Sequence, residues 1–395
     1  MPWQWVSVDL RTGTVLADLP LLSVDWPLRR SIGRYETGTA RLPWPSAPEN
    51  WLRATQPGAS ALIGYDDTDP LRTPQWGGMV VTRTRNTTRD TAELNLATIE
   101  AYLDRRYITD ATLTYADTAQ SLIVQDLIER YVQEGTLPGL PITVDVIDDG
   151  TLRDRTYHDS DDATVYQRLT ELMGVVDGPE WFIDWEWSST PTSIKPVLHV
   201  GTRVGLPATG DSPAAVFRLA QDAGSVVEAE LVDDYTTGFG ANDVTAVSIG
   251  DGVTARPTSG PQRPDNYLGR PTFEYRWTPS TSITTVSVLV DYAQKGLDTL
   301  IDGSKSTALT AQTSVAPKFG TEWGLGDDIA LTVDHPILGG TLTATARAIA
   351  VDFYQEQVSP ILATSDDELA IVNGQPVLIE DTALFGFGFT GGFAP

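Results

Sequence analysis

Residues Gly324 to Thr364 read GLGDDIALTVDHPILGGTLTATARAIAVDFYQEQVSPILAT, which is the grammar of a small antiparallel β-barrel module. An apolar strand, Ile329 to Val333, runs into Asp334, a loop and Gly339-Gly340. A Thr/Arg-rich strand, Thr341 to Arg347, follows, and an apolar strand closes on Ala363-Thr364. The same order occurs earlier: Ala61 to Tyr65, Asp66, Gly77-Gly78, Met79 to Arg85, and a strand closing on Ala97-Thr98. A repeated unit points to repeated architecture, although two unrelated β-hairpins would show the same short order. The expectation is a β-rich α+β, multidomain chain in which two similar small β-barrels, the first and last domains, flank α+β and β-sheet middle domains.

Length and composition agree with several packed domains. At 395 residues the chain exceeds one ordinary core, and 41% hydrophobic with 20% charged residues is globular composition. Against 27 Lys plus Arg stand 53 Asp plus Glu, a formal charge of -26. Such a surface repels phosphate, which argues against a sequence-reading DNA binder. The chain has no cysteine, so disulfides and thiolate metal sites are excluded. The first residues carry no basic and apolar leader pattern, and no apolar run approaches the ~18 residues of a spanning helix. The expectation from both is a soluble product of the cytosol.

The order of elements divides the chain. Arg11-Thr12-Gly13 is the turn between Trp5–Val8 and Val15-Leu16, and Leu22-Ser23-Val24-Asp25-Trp26 leads to Arg29-Arg30. These strands, with Ala61–Tyr65, Met79–Arg85 and Ala92–Thr98, make a first barrel domain over 1–108. The span 109–180 is α+β. One helix covers Asp117 to Glu134, with Val124, Leu127, Ile128 and Tyr131 on one face, Asp117 as cap and Gly135 as stop. A second covers Asp161 to Met173, with Asp161 and Asp162 at its positive end and Gly174 as stop. Ile142–Val146 is a strand between them. The span 181–308 opens on Glu180–Trp187, whose strict alternation puts Trp181, Ile183, Trp185 and Trp187 on one face and Phe182, Asp184 and Glu186 on the other. Lys195–Val200 is its expected partner, and Val226–Val232 and Asp243–Ile249 are expected to continue that sheet. A loop from Gly250 to Pro271 carries Arg256, Arg263 and Arg270, a local basic excess and a candidate contact surface. A third helix spans Val286 to Asp302. The last barrel occupies 309–364, and 365–395 holds a hairpin about Asn373-Gly374 followed by a Phe/Gly segment.

Few residues point to chemistry. Asp184 and Glu186 are two carboxylates on one strand face, as glycoside hydrolases require, but alternating acids on a solvated face are commonplace. The clusters Asp66-Asp67-Thr68-Asp69 and Asp159-Ser160-Asp161-Asp162 lack the EF-hand order and read as turns and caps. His158, His199 and His335 show no metal or catalytic spacing. No dinucleotide or nucleotide-phosphate motif occurs, so no cofactor and no metal is expected. Phe385, Phe387, Phe389 and Phe393, separated by small residues, are the candidate docking residues, because exposed they would form an apolar patch of the kind that marks an interface.

As an ordered set, Leu22–Trp26 with Arg29-Arg30, Trp76-Gly77-Gly78-Met79-Val80, Leu103-Asp104-Arg105-Arg106-Tyr107-Ile108, the helix to Leu172 with its tryptophan strand, and Gly324–Leu331 resemble a known family. It is the siphophage tail hub, or minor tail protein, related to the trimeric baseplate hub of contractile-tailed phages. The resemblance covers about residues 20–364. It implies four hub domains, and a homotrimer whose six barrels match a sixfold tail ring while presenting threefold symmetry to the tip. It also implies a DNA exit channel and three kinds of partner: the distal tail ring protein, the tape measure protein C-terminus, and tip or fibre (receptor-binding) proteins. The expected protein is then a structural virion component and not an enzyme, assembled in the host cytoplasm. Because the chain stops at Pro395, any cell-wall hydrolase is expected on another protein. The alternative is a secreted carbohydrate-binding or glycoside-hydrolase-like β protein.

Overall fold

In the computed structural model the described residues are 3–133, 135, 137–175, 177–188, 192–209, 212–219, 224–235, 240–248, 257–279, 283, 285–301, 304–315, 317–335, 340–363, 369–372 and 375–378. They fall into two compact units. One comprises 1–173, 177–229 and 308–363, and the other 174–176, 230–307 and 364–395.

The first unit begins with β1 (Trp3–Asp9), β2 (Val15–Asp18), β3 (Ser23–Val24), β4 (Leu28–Ser31) and β5 (Thr37–Pro43). After the short helix α1 (Trp51–Ala54) come β6 (Ser60–Asp66), β7 (Pro74–Asn86) and β8 (Thr91–Thr98). Seven of these strands form one sheet in the order β2-β1-β6-β7-β8-β5-β3. β6 is buried at every residue because both faces of the sheet are covered. Leu62 enters one core with Trp5, Leu28 and Trp76, while Ala61, Ile63 and Tyr65 enter a second with Val6 and Val8.

The middle of the unit supplies that second core. A 3-10 turn over Ile99–Arg105 leads to β9 (Leu113–Ala119), α2 (Gln120–Tyr131), β10 (Thr143–Val146), β11 (Leu152–Tyr157) and α3 (Val165–Met173). β12 (Glu180–Trp187) and β13 (Ile194–Gly201) then pair antiparallel, and β10 joins β13 in parallel. The alternation in β12 is realised: Trp181, Ile183 and Trp185 are buried against α2 and α3. The helix starts differ from expectation. Asp117 caps nothing, lying in β9 with positive φ and its amide donating to Asp154, and α2 ends before Gly135. α3 starts at Thr164, whose Oγ1 accepts the Gln167 amide while Gln167 Oε1 accepts the Thr164 amide, a capping box. Asp161 instead belongs to the preceding 3-10 turn and pairs with Arg168.

β14 (Ala215–Leu219) and β15 (Val226–Asp234) follow. The chain leaves the first unit along β15; β16 (Asp243–Ala246), β17 (Glu274–Trp277) and α4 (Val286–Leu300) belong to the second unit, where Val244, Trp277, Leu289, Ala293 and Leu297 share a core. The chain returns along β18 (Ser304–Gln312) into β19 (Asp328–His335), β20 (Gly340–Phe353) and β21 (Gln357–Ala363). The second seven-stranded sheet runs β14-β19-β20-β21-β18-β15, with β4 also pairing β20. The expectation that Val226–Val232 and Asp243–Ile249 extend the tryptophan-bearing sheet is therefore incorrect. β15 neighbours β18, and β16 pairs β17 in parallel. Beyond, β22 (Leu369–Val372) and β23 (Gln375–Leu378) pair antiparallel, and the expected turn residues Asn373 and Gly374 lie outside the described residues.

The two segments with the same sequence order share a strand order. β6-β7-β8 and β19-β20-β21 are both antiparallel meanders with a long middle strand and a register shift in its second pairing. They differ in register. Gly77 and Gly78 stand opposite Ile63 and Leu62 inside the ladder, whereas Gly340 stands opposite His335 at the hairpin end. The flanks differ too, since β1 runs antiparallel to β6 and β14 runs parallel to β19. Within the first unit the two sheets share one core, in which Leu28, Trp76 and Leu96 meet Phe217, Trp323, Ile329 and Phe353.

Candidate functional site

The outward face of β12 and β13 forms one wall of a groove, and the segment 319–325 forms the other. The groove has a volume of about 370 Å³ and also takes in Ile147, Leu206 and Asp327. Register sets Phe182 beside His199, and the rings stack with centroids 5.0 Å apart. His199 Nδ1 lies 2.9 Å from Asp145 Oδ2, and because a carboxylate only accepts, Nδ1 carries the hydrogen. Nε2 faces Glu186 at 3.9 Å. On the opposite wall Phe319 packs edge-on to Trp323 and Phe353.

Arg30 forms the floor. It is buried, donating to the carbonyls of Gln75 (3.1 Å) on β7 and Ile183 (3.3 Å) on β12, and its guanidinium lies over the Phe319 ring. The same guanidinium meets Asp184 at 3.0 Å. Since Arg30 sits on β4, which pairs with β20, one side chain ties together three sheets. Its neighbour Arg29 makes a two-point ion pair with Asp352 directly opposite, at 2.6 and 2.7 Å, and the Arg29 carbonyl accepts the Trp76 indole N–H.

Asp184 and Glu186 both line the groove, and each has a neighbour of its own. Asp184 is engaged by Arg30 and by the Trp185 amide, and Glu186 faces an imidazole instead of a second carboxylate. Trp181 and Trp185 point into the core, so the aromatic platform a sugar would need is turned inward. The other acid clusters organise their own turns. Asp66 accepts the Thr68 amide and hydroxyl, and Asp69 accepts the Leu71 and Thr73 amides. Burial pushes the Asp69 carboxyl up, but the Thr73 and Leu71 donors together with Lys318 outweigh it and hold it below the usual range. Among the described residues no three His, Asp or Glu side chains are placed to hold a metal ion.

The remaining candidates separate. His158 faces the Thr112 hydroxyl, and His335 ends β19, both apart from His199. Within the second unit Arg263 is paired to Asp243 on β16 and Arg270 donates to the Ile301 carbonyl just after α4, so these two arginines tie their loop to β16 and α4. Arg256 and the candidates Phe385, Phe387, Phe389 and Phe393 lie outside the described residues. Sequence reasoning missed the two-point pair between Arg347 and Glu180, the Arg203 to Asp328 contact, and the buried Glu100. No local period signals them, because each depends on partners far away in the chain. Among the described residues no helix is long and apolar enough to cross a membrane.

The first unit thus holds two seven-stranded sheets that share a core, with β4 pairing β20 of the second sheet. The chain is similar to the tail protein of Neisseria meningitidis MC58, with a TM-score of 0.54 at 13% identity, over 96% of this chain and 99% of that one. It is likewise similar to the 43 kDa tail protein of prophage MuSo2 from Shewanella oneidensis, with a TM-score of 0.50 at 14% identity, over 91% and 98% of the two chains. At these identities the likeness is one of fold. No protein-family model and no curated relative matches the sequence.

Proposed function

We propose that this chain is a structural, non-enzymatic component of a phage tail tip, a trimeric hub that adapts a sixfold tail to a threefold tip and surrounds the DNA exit channel. The carrying observation is coverage: the likeness to the Neisseria meningitidis tail protein spans 96% of this chain and 99% of that one. The interior supports the same reading, since Arg29 with Asp352, Arg30 with Asp184 and Arg347 with Glu180 form ion pairs at the sheet junctions. The two meanders, one in each seven-stranded sheet, supply the two barrel-like modules per subunit that a trimer needs to meet six positions.

In this reading the modules at 1–108 and 309–364 face the distal tail ring protein, and 109–180 and 181–308 complete the four hub domains. The tape measure protein C-terminus and tip or fibre proteins are the other partners. Three copies carry three times the formal charge of -26, and a negative channel lining keeps phosphate from sticking as DNA passes. Phe385, Phe387, Phe389 and Phe393 dock on a neighbouring subunit, so deleting 386–395 is expected to weaken assembly.

The test is the mass and symmetry of the purified chain, by light scattering and electron imaging. A threefold particle that caps purified tail tubes is the expected result. A monomer that binds oligosaccharide in the Phe182 groove would transfer the case to the carbohydrate-binding alternative.

A further inference from the structure

Glu100 stands in the 3-10 turn after β8 and is buried among β4, β7 and β12. Its Oε1 accepts the Ile183 amide at 3.2 Å, and its Oε2 has no hydrogen-bond partner among the described residues. Next to it is a small cavity of about 10 Å³ lined by Arg30, Ser31, Gly77, Thr98, Glu100, Ile183 and Trp185. That volume matches a single water, which needs ~10–15 Å³ and two to four polar partners. Arg30, Ser31, Thr98 and Glu100 supply them. The Thr98 hydroxyl already accepts the Glu36 amide at 3.0 Å, which leaves its own hydrogen to donate.

We propose that this cavity is a site for one internal water and that Glu100 beside it is a neutral, proton-bearing acid, making the three-sheet junction a proton-dependent latch that loosens in alkali. The charge count leads there. The nearest guanidinium, Arg30, lies 3.0 Å from Asp184 Oδ1 and reaches Glu100 only through longer-range attraction. Asp184 is a third exposed at the groove surface, whereas Glu100 is shut off from solvent. An unpaired buried carboxylate is far costlier than the neutral acid, so the group takes up a proton. The O–H then donates to the water, and the water donates onward to the Ser31 oxygen.

The groups facing Glu100 are Arg30 from β4, Asp184 from β12 acting through Arg30, and Tyr166 from α3. Glu36 reaches the cavity edge through its bond from Ser31, and Asp104 on the same turn accepts the Thr164 hydroxyl. Burial pushes the Glu100 carboxyl up, against the opposing pull of Thr98, Arg30 and the Ile183 amide. The fold therefore holds this proton more tightly than the unfolded chain does. Its contribution to stability is complete below the ordinary glutamate range and is lost as pH rises through the folded value.

Infrared difference spectroscopy on the full chain tests the latch. A protonated-carboxyl band is expected at neutral pH, lost on alkaline titration and absent in Glu100→Gln. Glu100→Gln, which mimics the neutral acid, is expected to flatten the fall in melting temperature between neutral and alkaline pH, and a high-resolution map is expected to place one ordered water in the cavity. No such band in the wild type, a cavity without water density, or a Glu100→Gln variant that parallels the wild-type pH curve would overturn the proposal. If Glu100→Gln fails to fold, Glu100→Asp, which keeps the acid but moves it, must shift the band. These outcomes do not depend on whether the chain forms a trimer.

Discussion

Gly205 and Gly326 cross back to back, both with positive φ (+80° and +86°), so that a Cβ on either would run into the backbone of the other segment. The crossing explains the GLGDD motif. Asp327 accepts the Leu206 and Gly324 amides at 2.6 and 2.7 Å, and Asp328 accepts the Ala208 amide at 2.8 Å while pairing with Arg203. Gly326→Ala adds left-handed strain of about 1–2 kcal/mol to a backbone collision that no rotamer relieves. The expected loss is about 3 kcal/mol or more, read as a lower urea midpoint with unchanged slope. A variant within ~0.5 kcal/mol of the wild type would show that the two segments separate freely.

Arg347 on β20 and Glu180 at the start of β12 form a two-point pair whose side chains are only 14% and 20% exposed. Arg347 also donates to the Val204 carbonyl, so it holds the last sheet, the tryptophan-bearing sheet and the loop after β13 in one register. Truncating Glu180 alone leaves a buried cation, a loss of about 3–5 kcal/mol. The Arg347→Met, Glu180→Met double variant is expected to lose less than the sum of the singles, by at least about 1 kcal/mol. Additive losses in the cycle would mean that the two side chains act independently.

Elements with a local period were legible in the sequence, and their partners were not. The two-residue alternation of Glu180–Trp187 fixes which face is buried whatever lies above it, and the stripe through Val124, Leu127, Ile128 and Tyr131 does the same for α2. The start of α3 was misread because successive acids at Asp161 and Asp162 imitate a dipole cap, while the operative signal, Thr164 with Gln167, is two inconspicuous residues. β15 was visible as a strand, but its neighbour β18 arrives only after the whole second unit, and nothing in Val226–Val232 encodes that choice. The groove was half visible. Phe182, Asp184 and Glu186 were placed on one face, but its other wall, Phe319 to Leu325, and its floor, Arg30, come from distant stretches.

Alkaline pH is expected to unfold the chain in a window set by its tyrosines. Burial, helped by the nearby Asp104 charge, pushes the Tyr166 hydroxyl up to about 12, and burial alone does the same to Tyr275. A proton held more tightly in the fold stabilises it fully below the ordinary tyrosine value near 10, and that stability is lost as pH rises through 12. Tyrosinate absorbance is expected to rise in two stages, the exposed tyrosines first and the buried ones together with unfolding. Tyr166→Phe and Tyr275→Phe should each make the alkaline loss of stability shallower. A single tyrosinate rise near 10 with the fold intact would refute the assignment.

In the second unit, Gly296 lies in the interior of α4 with no requirement for a glycine conformation. A Cβ there would meet Val244 Cγ1 at 3.4 Å and the Trp277 ring at 3.6 Å, ordinary van der Waals distances within a core that already holds Ala293 and Leu297. Glycine inside a helix costs about 1 kcal/mol relative to alanine, chiefly through the freedom of the unfolded chain. Gly296→Ala is therefore expected to stabilise the second unit by ~0.5–1 kcal/mol, with slower amide exchange along α4 as the local readout. The competing outcome, faster exchange and a lower melting temperature, would mean that the 3.4 Å contact has no room to yield and that the glycine is there to let β16 approach the helix.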